Sequence, residues 1–250
     1  MRIVVPMAGR GKRFADRGFE TPKPFIEIAG KPMFLWALDS LLAFEFSVLI
    51  LVVLEEHEKE FEVSKLVKNY LGRESVTQLG GVPHFMVLTI PEVTEGQLCT
   101  VLAAKGWLDE EEDVLIAASD TYIRSSLARD IQNRPDDCAG IISVIDLPGE
   151  QWSFAQTDEN GRVVQVAEKQ RISNYASTGL YYFSKGADLV SIGEKMIRDG
   201  ERTRGEYYVI PVYQKMIEAG QQILISPATE MWDMGTPEAK TAFESHLRNQ

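Results

Sequence analysis

Two glycines and two cations near the start of the chain have the types and spacing that phosphate binding needs. Gly9 and Gly11 follow the apolar run 3–5, and Arg13 and Lys23 come after them. Glycine lets a backbone turn sharply and bring its N–H groups close to an anion. Arginine and lysine add cationic donors for phosphate oxygens. The pattern favours a cradle for a nucleoside triphosphate.

The glycines match neither of two common phosphate-binding fingerprints. Phe14 stands where the third glycine of a dinucleotide fingerprint would be, and no G-x-x-x-x-G-K-[ST] sequence can be written here. The interpretation therefore depends on the cations that accompany the glycines.

Charge is unevenly distributed along the chain. Its 250 residues carry a formal net charge of −11, yet residues 1–31 hold seven Lys or Arg against three Asp or Glu, a local +4. A basic island in an acidic chain indicates a small anionic ligand that is held locally. The overall negative charge argues against a nucleic-acid partner.

Cysteine spacing and the length of the apolar runs indicate in which cellular compartment the protein is expected. Cys99 and Cys138 lie 39 residues apart, so neither a cysteine metal cluster nor a disulfide framework is expected. The longest apolar run, 47–54, is far shorter than the ~20 residues of a membrane span. The sequence begins on a predicted strand without a leader pattern, so we expect a cytoplasmic protein with no membrane partner.

Two aspartates are candidates for a metal site. Asp120 follows the apolar strand predicted at 113–118, and Asp233 lies in the segment 232–237. Carboxylate oxygens are ligands that Mg²⁺ prefers, together with phosphate oxygens. Asp120 is equally suited to cap a helix near 124–133, and Asp233 is equally suited to a turn. Because 113 residues separate them, the sequence alone does not show that they meet.

The elements expected in the first half place these groups at one edge of a sheet. Strands at 2–6, 48–54, 84–90 and 113–118 alternate with helices at 32–44, 57–71 and 96–107. Continuous apolar strands between helices predict an α/β fold, with a mostly parallel sheet and helices on both faces. Ligands in such sheets bind at the carboxyl ends of the strands, where the Gly9 loop and Asp120 fall.

The second half of the chain has a different pattern. Turn signals rather than helices separate the strands expected between 139 and 183, which predicts an antiparallel, substrate-side subdomain. Helices at 186–199 and 207–219, a strand at 222–226 and a helix at 237–247 follow. We expect a single domain over 1–250, with a nucleotide-binding half at about 1–135 and an acceptor-binding half at about 136–250.

A series of motifs runs in one order through nearly the whole chain. It comprises Ala8-Gly9-Arg10-Gly11-Lys12-Arg13, Pro22-Lys23-Pro24, Gly96, Asp120, Glu168-Lys169, Thr178-Gly179, Arg204-Gly205-Glu206 and Trp232-Asp233-Met234-Gly235-Thr236-Pro237. The series resembles the sugar-phosphate nucleotidyltransferases, the NDP-sugar pyrophosphorylases that include glucose-1-phosphate thymidylyl-, uridylyl- and cytidylyltransferases. The resemblance implies a Rossmann-like fold and Mg²⁺-dependent transfer of an NMP group from an NTP to a phosphorylated small molecule, a sugar 1-phosphate above all. Pyrophosphate would be released, and a homo-oligomer would be in keeping with that family.

The resemblance also implies a role for each matched residue. Arg13, Lys23, Asp120 and Asp233 would be catalytic, with Lys23 at the α-phosphorus and Mg²⁺ shared by the two aspartates. The nucleotide would be bound by Ala8, Gly9, Gly11, Lys12, Arg13, Lys23, Gly96 and Gln97. The acceptor would be bound by Glu168, Lys169, Thr178, Gly179, Arg204 and Glu206, with Lys169 on its phosphate.

Two departures from the family pattern leave the substrates open. No glutamine stands in 90–95, where thymidylyl and uridylyl members carry one to read the base. Phe154-Ala155 occupies the place of a Tyr-Gly pair common in sugar-binding members, so we expect the methyl group of Ala155 to fill space beside the acceptor. The alternatives are a cytidylyltransferase acting on a non-sugar phosphate ester and a non-catalytic, nucleotide-binding regulatory relative. Whether Tyr207 and Tyr208 line a pocket or pack in the core is also open.

Overall fold

The computed structural model describes residues 1–9, 11–73, 84–108 and 111–249. Its strands are β1 (Arg2–Pro6), β2 (Glu27–Ile28), β3 (Lys31–Pro32), β4 (Val48–Leu54), β5 (Phe85–Ile90), β6 (Val114–Ala117), β7 (Thr121–Ser125), β8 (Cys138–Asp146), β9 (Ser153–Thr157), β10 (Val163–Glu168), β11 (Tyr175–Phe183) and β12 (Gln222–Asp233). Its α-helices are Lys12–Ala15, Met33–Asp39, Glu55–Phe61, Val63–Leu71, Gln97–Leu102, Leu127–Gln132, Gly186–Arg198, Ile210–Glu218 and Pro237–Arg248.

The main sheet has the strand order β5-β4-β1-β6-β11-β8-β12-β7. The neighbours β5, β4, β1 and β6 are parallel, which confirms the predicted α/β fold of the first half. Further along, β11 runs antiparallel to β6 and β8, and β9 pairs antiparallel with β10 and β11. Antiparallel strands from the second half of the chain therefore extend the parallel sheet, as predicted.

Helices cover both faces of the sheet, and the strand sequences show why. Successive residues of a strand point to opposite faces, so a strand that is covered on both sides must be apolar throughout. Ile3 and Val5 of β1 belong to one buried cluster, whereas Val4 belongs to another on the opposite face. In β4, Leu49–Leu54 are all buried. No helix among the described residues is long and apolar enough to cross a membrane.

One predicted helix is broken in two. The helix expected at 57–71 is present as Glu55–Phe61 and Val63–Leu71, with Glu62 between them in the left-handed region at φ 48°. The carboxylate of Glu58 accepts a hydrogen bond of 3.1 Å from the N–H of Ser64 and so satisfies the start of the second helix. The apolar periodicity continues across the break, which is why the sequence does not reveal it.

The strand predicted at 222–226 is much longer than expected. β12 reaches Asp233, and its second part pairs antiparallel with β7, where the sequence predicts no strand. β12 pairs with β8 as far as Pro227 and with β7 from Ala228 onwards, and a register shift between Ala228 and Glu230 interrupts the second pairing. Asp233 thereby lies opposite Thr121, next in the chain to Asp120.

The carboxyl-terminal helix supports the loop that follows β1. Thr236 caps this helix by accepting a hydrogen bond of 3.1 Å from the N–H of Ala239. Phe243 of the helix and Met234 before it form one buried cluster with Phe14 of the helix Lys12–Ala15. Phe14 thus occupies the glycine position of a dinucleotide fingerprint because it anchors the loop to the core.

Candidate active site

A cleft of about 650 Å³ opens at the carboxyl ends of β1 and β6. Its lining includes most of the site residues predicted from the sequence: Gly9, Gly11, Lys12, Arg13, Lys23, Gly96, Gln97, Asp120, Glu168, Lys169, Thr178, Gly179, Arg204, Glu206 and Asp233. Ala8 is not in that lining, because its side chain is 1% exposed and packs in the core. Arg10, in the middle of the loop motif, lies outside the described residues. The structure therefore brings the predicted residues together, while their roles remain predictions.

The loop after β1 packs directly against Lys23. Gly11 has φ 58°, in the left-handed region, and a Cβ there would lie 3.2 Å from the Cβ of Lys23. Lys23 begins a short 3₁₀ turn, Lys23–Phe25, and Phe25 packs in the main core. The turn directs the lysine into the cleft, where its ammonium donates a hydrogen bond of 2.7 Å to Oδ2 of Asp120.

Asp120 and Asp233 face one small space. The N–H of Met234 donates a hydrogen bond of 2.8 Å to the carbonyl oxygen of Asp120, and the N–H of Gly235 donates one of 2.9 Å to Oδ1 of Asp233. A Cβ on Gly235 would lie 2.9 Å from Oδ1 of Asp233 and 3.0 Å from Oδ2 of Asp120. The missing side chain of Gly235 therefore keeps open the space between the two carboxylates.

The two carboxylates differ in their acidity. Burial, followed by the negative charge of Asp120, raises the pKa of Asp233 to about 6. Burial alone would raise the pKa of Asp120 as well, but the cations of Lys23 and Arg13 outweigh it and hold that pKa below its ordinary value. The ammonium of Lys23 forms an ion pair with Asp120, the more acidic of the two groups.

This arrangement fits a hard divalent cation. It offers two carboxylate oxygens around a space that a Cβ would fill, and the repulsion that raises the pKa of Asp233 would be relieved by added positive charge. Within the described residues, no group of three or more His, Cys, Asp or Glu is placed to hold a metal. Water and substrate phosphates would have to complete the coordination, as is usual for Mg²⁺.

Gly96 lets one wall of the cleft pack against another. Its φ is 145°, and a Cβ there would lie 2.4 Å and 2.5 Å from the backbone oxygen and nitrogen of Tyr207. The N–H of Leu98 donates to the carbonyl of Tyr207 at 3.0 Å, and the N–H of Tyr207 donates to the carbonyl of Glu95 at 3.1 Å. The structure thus gives Gly96 a packing role, and its predicted contact with a base stays a prediction.

Glu168 and Lys169 also line the cleft. Burial raises the pKa of Glu168, whose carboxylate accepts a hydrogen bond from the hydroxyl of Ser153. Nearby, the hydroxyl of Thr178 is buried and has no partner among the described residues. Gly179 has φ 90°, and a Cβ there would lie 2.8 Å from that of Ala118. A buried hydroxyl without a partner indicates that a ligand could complete its hydrogen bonding.

The expectation for Ala155 is wrong. Its side chain is fully buried in the core and does not line the cleft, so its methyl group takes no space from an acceptor. Instead, Trp152 and Ser153 line the cleft immediately before the buried Phe154. The start of β9 and the residue before it therefore present different side chains to the cleft from those that the family resemblance implied.

Several further residues of the cleft were missed or left open by the sequence. Tyr207 packs in the core, whereas Tyr208 lines the cleft. The side chains of Trp152 and Tyr181 also reach it. Gly235 could have been noticed in the sequence, since it follows Asp233 by two residues. That it keeps the space between the two carboxylates open depends on geometry that only the fold provides.

Comparisons with known proteins show what the chain is similar to. A protein-family model described as nucleotidyl transferase matches residues 3–250. The UTP–glucose-1-phosphate uridylyltransferase AglF of Haloferax volcanii is 23% identical over 258 residues, which cover 100% of this chain and 98% of that protein. The bifunctional protein GlmU of a Thermotoga species is 27% identical over 84% of this chain, but the match spans 43% of GlmU.

A solved structure matches over almost its whole length. The nucleoside-diphosphate-sugar pyrophosphorylase from Vibrio cholerae RC9 has a TM-score of 0.79 and 28% sequence identity to this chain. The match covers 97% of this chain and 99% of that one. The fold of the chain is thus similar to that of a nucleoside-diphosphate-sugar pyrophosphorylase.

Proposed function

The chain belongs to the nucleotidyl transferase family and is a nucleotidyltransferase, and from that premise we propose which reaction it catalyses. It transfers an NMP group from an NTP to a sugar 1-phosphate and releases pyrophosphate. The observation that carries this proposal is the cleft itself, in which Lys23 and Lys169 lie together with the carboxylates Asp120 and Asp233. The two substrates of such a reaction are both phosphates, and the two lysines are cations that can bind them.

The NTP binds to the half formed by about 1–135. The backbone of Ala8, Gly9 and Gly11 turns around the triphosphate, and Lys12 and Arg13, which line the cleft, contribute cations. Gly96 and Gln97 border the base. Lys23 supplies three N–H donors, so it can keep Asp120 and also reach a phosphate oxygen.

The acceptor binds to the half formed by about 136–250. Lys169 binds its phosphate, and Arg204 lies beside Lys169, donating a hydrogen bond of 2.9 Å to its carbonyl oxygen. Hydroxyl groups of the acceptor contact the side chains of Glu168, Thr178 and Glu206. They also contact the backbone of Gly179.

Mg²⁺ would be held by Asp120 and Asp233. When bound, it supplies charge neutralisation for the phosphate oxygens and polarises the phosphoryl group. The support for this assignment is the space beside Gly235, which both carboxylates face.

The reaction itself needs positioning more than proton transfer. A phosphate monoester is already largely ionised at neutral pH, because its second pKa is about 6, so its oxygen can attack the α-phosphorus without a general base. The obstacle is repulsion between two anions, which fixed cations such as Arg13, Lys23 and Lys169 offset. The three histidines of the chain do not line the cleft, in keeping with a reaction that requires no base.

A substrate screen tests the proposal. Each of the four NTPs is incubated with Mg²⁺ and a panel of phosphate esters, comprising sugar 1-phosphates, an inositol phosphate and amino-alcohol phosphates, and pyrophosphate release is measured. We expect release that depends on a sugar 1-phosphate. Turnover with CTP and a non-sugar ester alone would favour the cytidylyltransferase alternative. Nucleotide binding without release for any ester would reject the transfer reaction in favour of a regulatory protein.

A further inference from the structure

The hydroxyl of Tyr208 lies between two side chains of opposite charge in the acceptor half of the cleft. It accepts a hydrogen bond from the ammonium of Lys169, and it donates one of 2.8 Å to Oε2 of Glu206. The ammonium also lies over the ring of Tyr208, 4.4 Å from its centroid. The tyrosine therefore contacts Lys169 through both its ring and its hydroxyl.

Tyr208 is suited to remain in this bridging state. Burial and the neighbouring carboxylate of Glu206 raise the pKa of the tyrosine well above its ordinary value, so the hydroxyl stays protonated and donates a hydrogen bond to Glu206. The ammonium of Lys169 can only donate hydrogen bonds, and the hydroxyl oxygen of Tyr208 accepts one of them. Lys169 forms no ion pair within the part of the chain that the structure describes.

The backbone of Lys169 is fixed independently of its side chain. Its N–H donates a hydrogen bond of 2.9 Å to the carbonyl of Trp152, and its own carbonyl accepts one of 2.9 Å from Arg204. Lys169 has φ 53°, a left-handed conformation that is unusual for a residue other than glycine. The backbone of Lys169 is thus held on both sides, and its ammonium contacts the hydroxyl and the ring of Tyr208.

We propose that Tyr208 is a positioning residue that keeps the charge of Lys169 available to an anionic ligand by standing between Lys169 and Glu206. This inference rests on the proposed function in one respect, namely that the ligand of Lys169 is the phosphate of the acceptor. Without the hydroxyl, the ammonium would have the carboxylate of Glu206 as a direct partner. An ion pair of that kind would neutralise the charge that attracts the phosphate.

Binding of inorganic phosphate, measured by isothermal titration, tests this role without any turnover. The proteins are the wild type, Tyr208→Phe, Lys169→Ala and the double variant. Tyr208→Phe keeps the ring, so we expect a loss of about tenfold in phosphate affinity, the scale of one hydrogen bond to a charged group. In the Lys169→Ala background the same substitution should change nothing. An unchanged affinity for Tyr208→Phe, or an equal loss in both backgrounds, would overturn the proposal.

A rescue experiment separates positioning from a purely structural effect. Glu206→Gln removes the competing carboxylate, so Tyr208→Phe/Glu206→Gln should bind phosphate more tightly than Tyr208→Phe alone. No recovery of affinity would contradict the proposed separation of Lys169 from Glu206. Tyr175→Phe, on the exposed start of β11 and outside the cleft, is the matched control and should bind phosphate like the wild type.

Transfer assays keep this inference distinct from the proposed function. In an active enzyme, Tyr208→Phe should raise the KM for the acceptor more than it lowers kcat. A wild type that binds phosphate through Lys169 and Tyr208 but transfers no nucleotide would reject the proposed function and leave the positioning role supported. Nucleotide transfer by the wild type, together with unaltered phosphate binding in Tyr208→Phe, would support the proposed function and reject the positioning role.

Discussion

The ammonium of Lys23 donates a hydrogen bond of 2.7 Å to the carboxylate of Asp120, although the two residues are 97 positions apart. This contact joins the 3₁₀ turn Lys23–Phe25, against which the loop after β1 packs, to the pair of carboxylates that Asp120 forms with Asp233. In the proposed reaction, it places the cation where the triphosphate and a metal ion would meet. The predictions that follow depend on this junction.

Replacing Lys23 by Ala should reduce kcat by about 10²–10³, which is the scale observed when one group that stabilises a charged transition state is removed. Steady-state pyrophosphate release measures the effect. Lys59→Ala is the control, because Lys59 is 77% exposed and does not line the cleft. A Lys23→Ala enzyme with nearly normal turnover would rule out contact between Lys23 and the reacting phosphate.

Gly235→Ala should abolish metal-dependent turnover while leaving the fold intact. Gly235 does not have a positive φ, so the new methyl group strains no backbone, but it would come within 3.0 Å of both carboxylates. Binding of Mn²⁺, followed by its electron paramagnetic resonance signal, and the melting temperature measure the two effects. Gly106→Ala adds the same methyl group in open space and should behave like the wild type. Equal Mn²⁺ affinity in the two variants would show that the metal lies elsewhere.

Asp233→Asn should raise the stability of the metal-free protein in a manner that depends on pH. The pKa of Asp233 is about 6 in the folded protein, against 3.8 for the free group, so between these values the unfolded chain releases a proton that the folded protein retains. Wild-type stability therefore falls as the pH rises through this window, and the asparagine variant does not share that loss.

We expect the melting temperature of Asp233→Asn relative to wild type, in EDTA, to increase from about pH 4 to about pH 6 and then level off. Mg²⁺ at pH 8 should raise the melting temperature of the wild type and not that of the variant. A difference between the two proteins that is the same at every pH would contradict the raised pKa.

Gly96→Ala should cost both stability and nucleotide affinity. The alanine would adopt φ 145° with its methyl group 2.4 Å from the backbone oxygen of Tyr207, so the wall at 94–98 must move. Gly18→Ala is the matched comparison, because it also has a positive φ but open space around it. Strain alone costs about 1–3 kcal/mol, and thermal or urea unfolding should show a larger loss for Gly96→Ala than for Gly18→Ala. Equal losses would mean that the contact with Tyr207 is unimportant.

The sequence predicted the parallel half of the fold well because burial on both faces leaves a continuous apolar run in each strand, as in β4. It could not show that Asp120 and Asp233 meet, because the long β12 changes partners from β8 to β7 and that pairing is a tertiary event. Family analogy failed at Ala155, since a single residue of register decides whether a side chain near a strand end faces the cleft or the core. The choice between Tyr207 and Tyr208 was open because the two residues lie outside any strand or helix, so no periodicity shows which of them faces the core.

Isotope labelling of the acceptor tests the central claim most directly. A sugar 1-phosphate that carries ¹⁸O at its non-ester oxygens is incubated with the NTP, Mg²⁺ and the wild-type enzyme, and the products are analysed by ³¹P NMR. Attack by the acceptor's phosphate on the α-phosphorus predicts one labelled oxygen bridging the two phosphorus atoms of the product, with unlabelled pyrophosphate released in equal amount. Label in the pyrophosphate, or an NMP product that is not joined to the acceptor, would contradict the account.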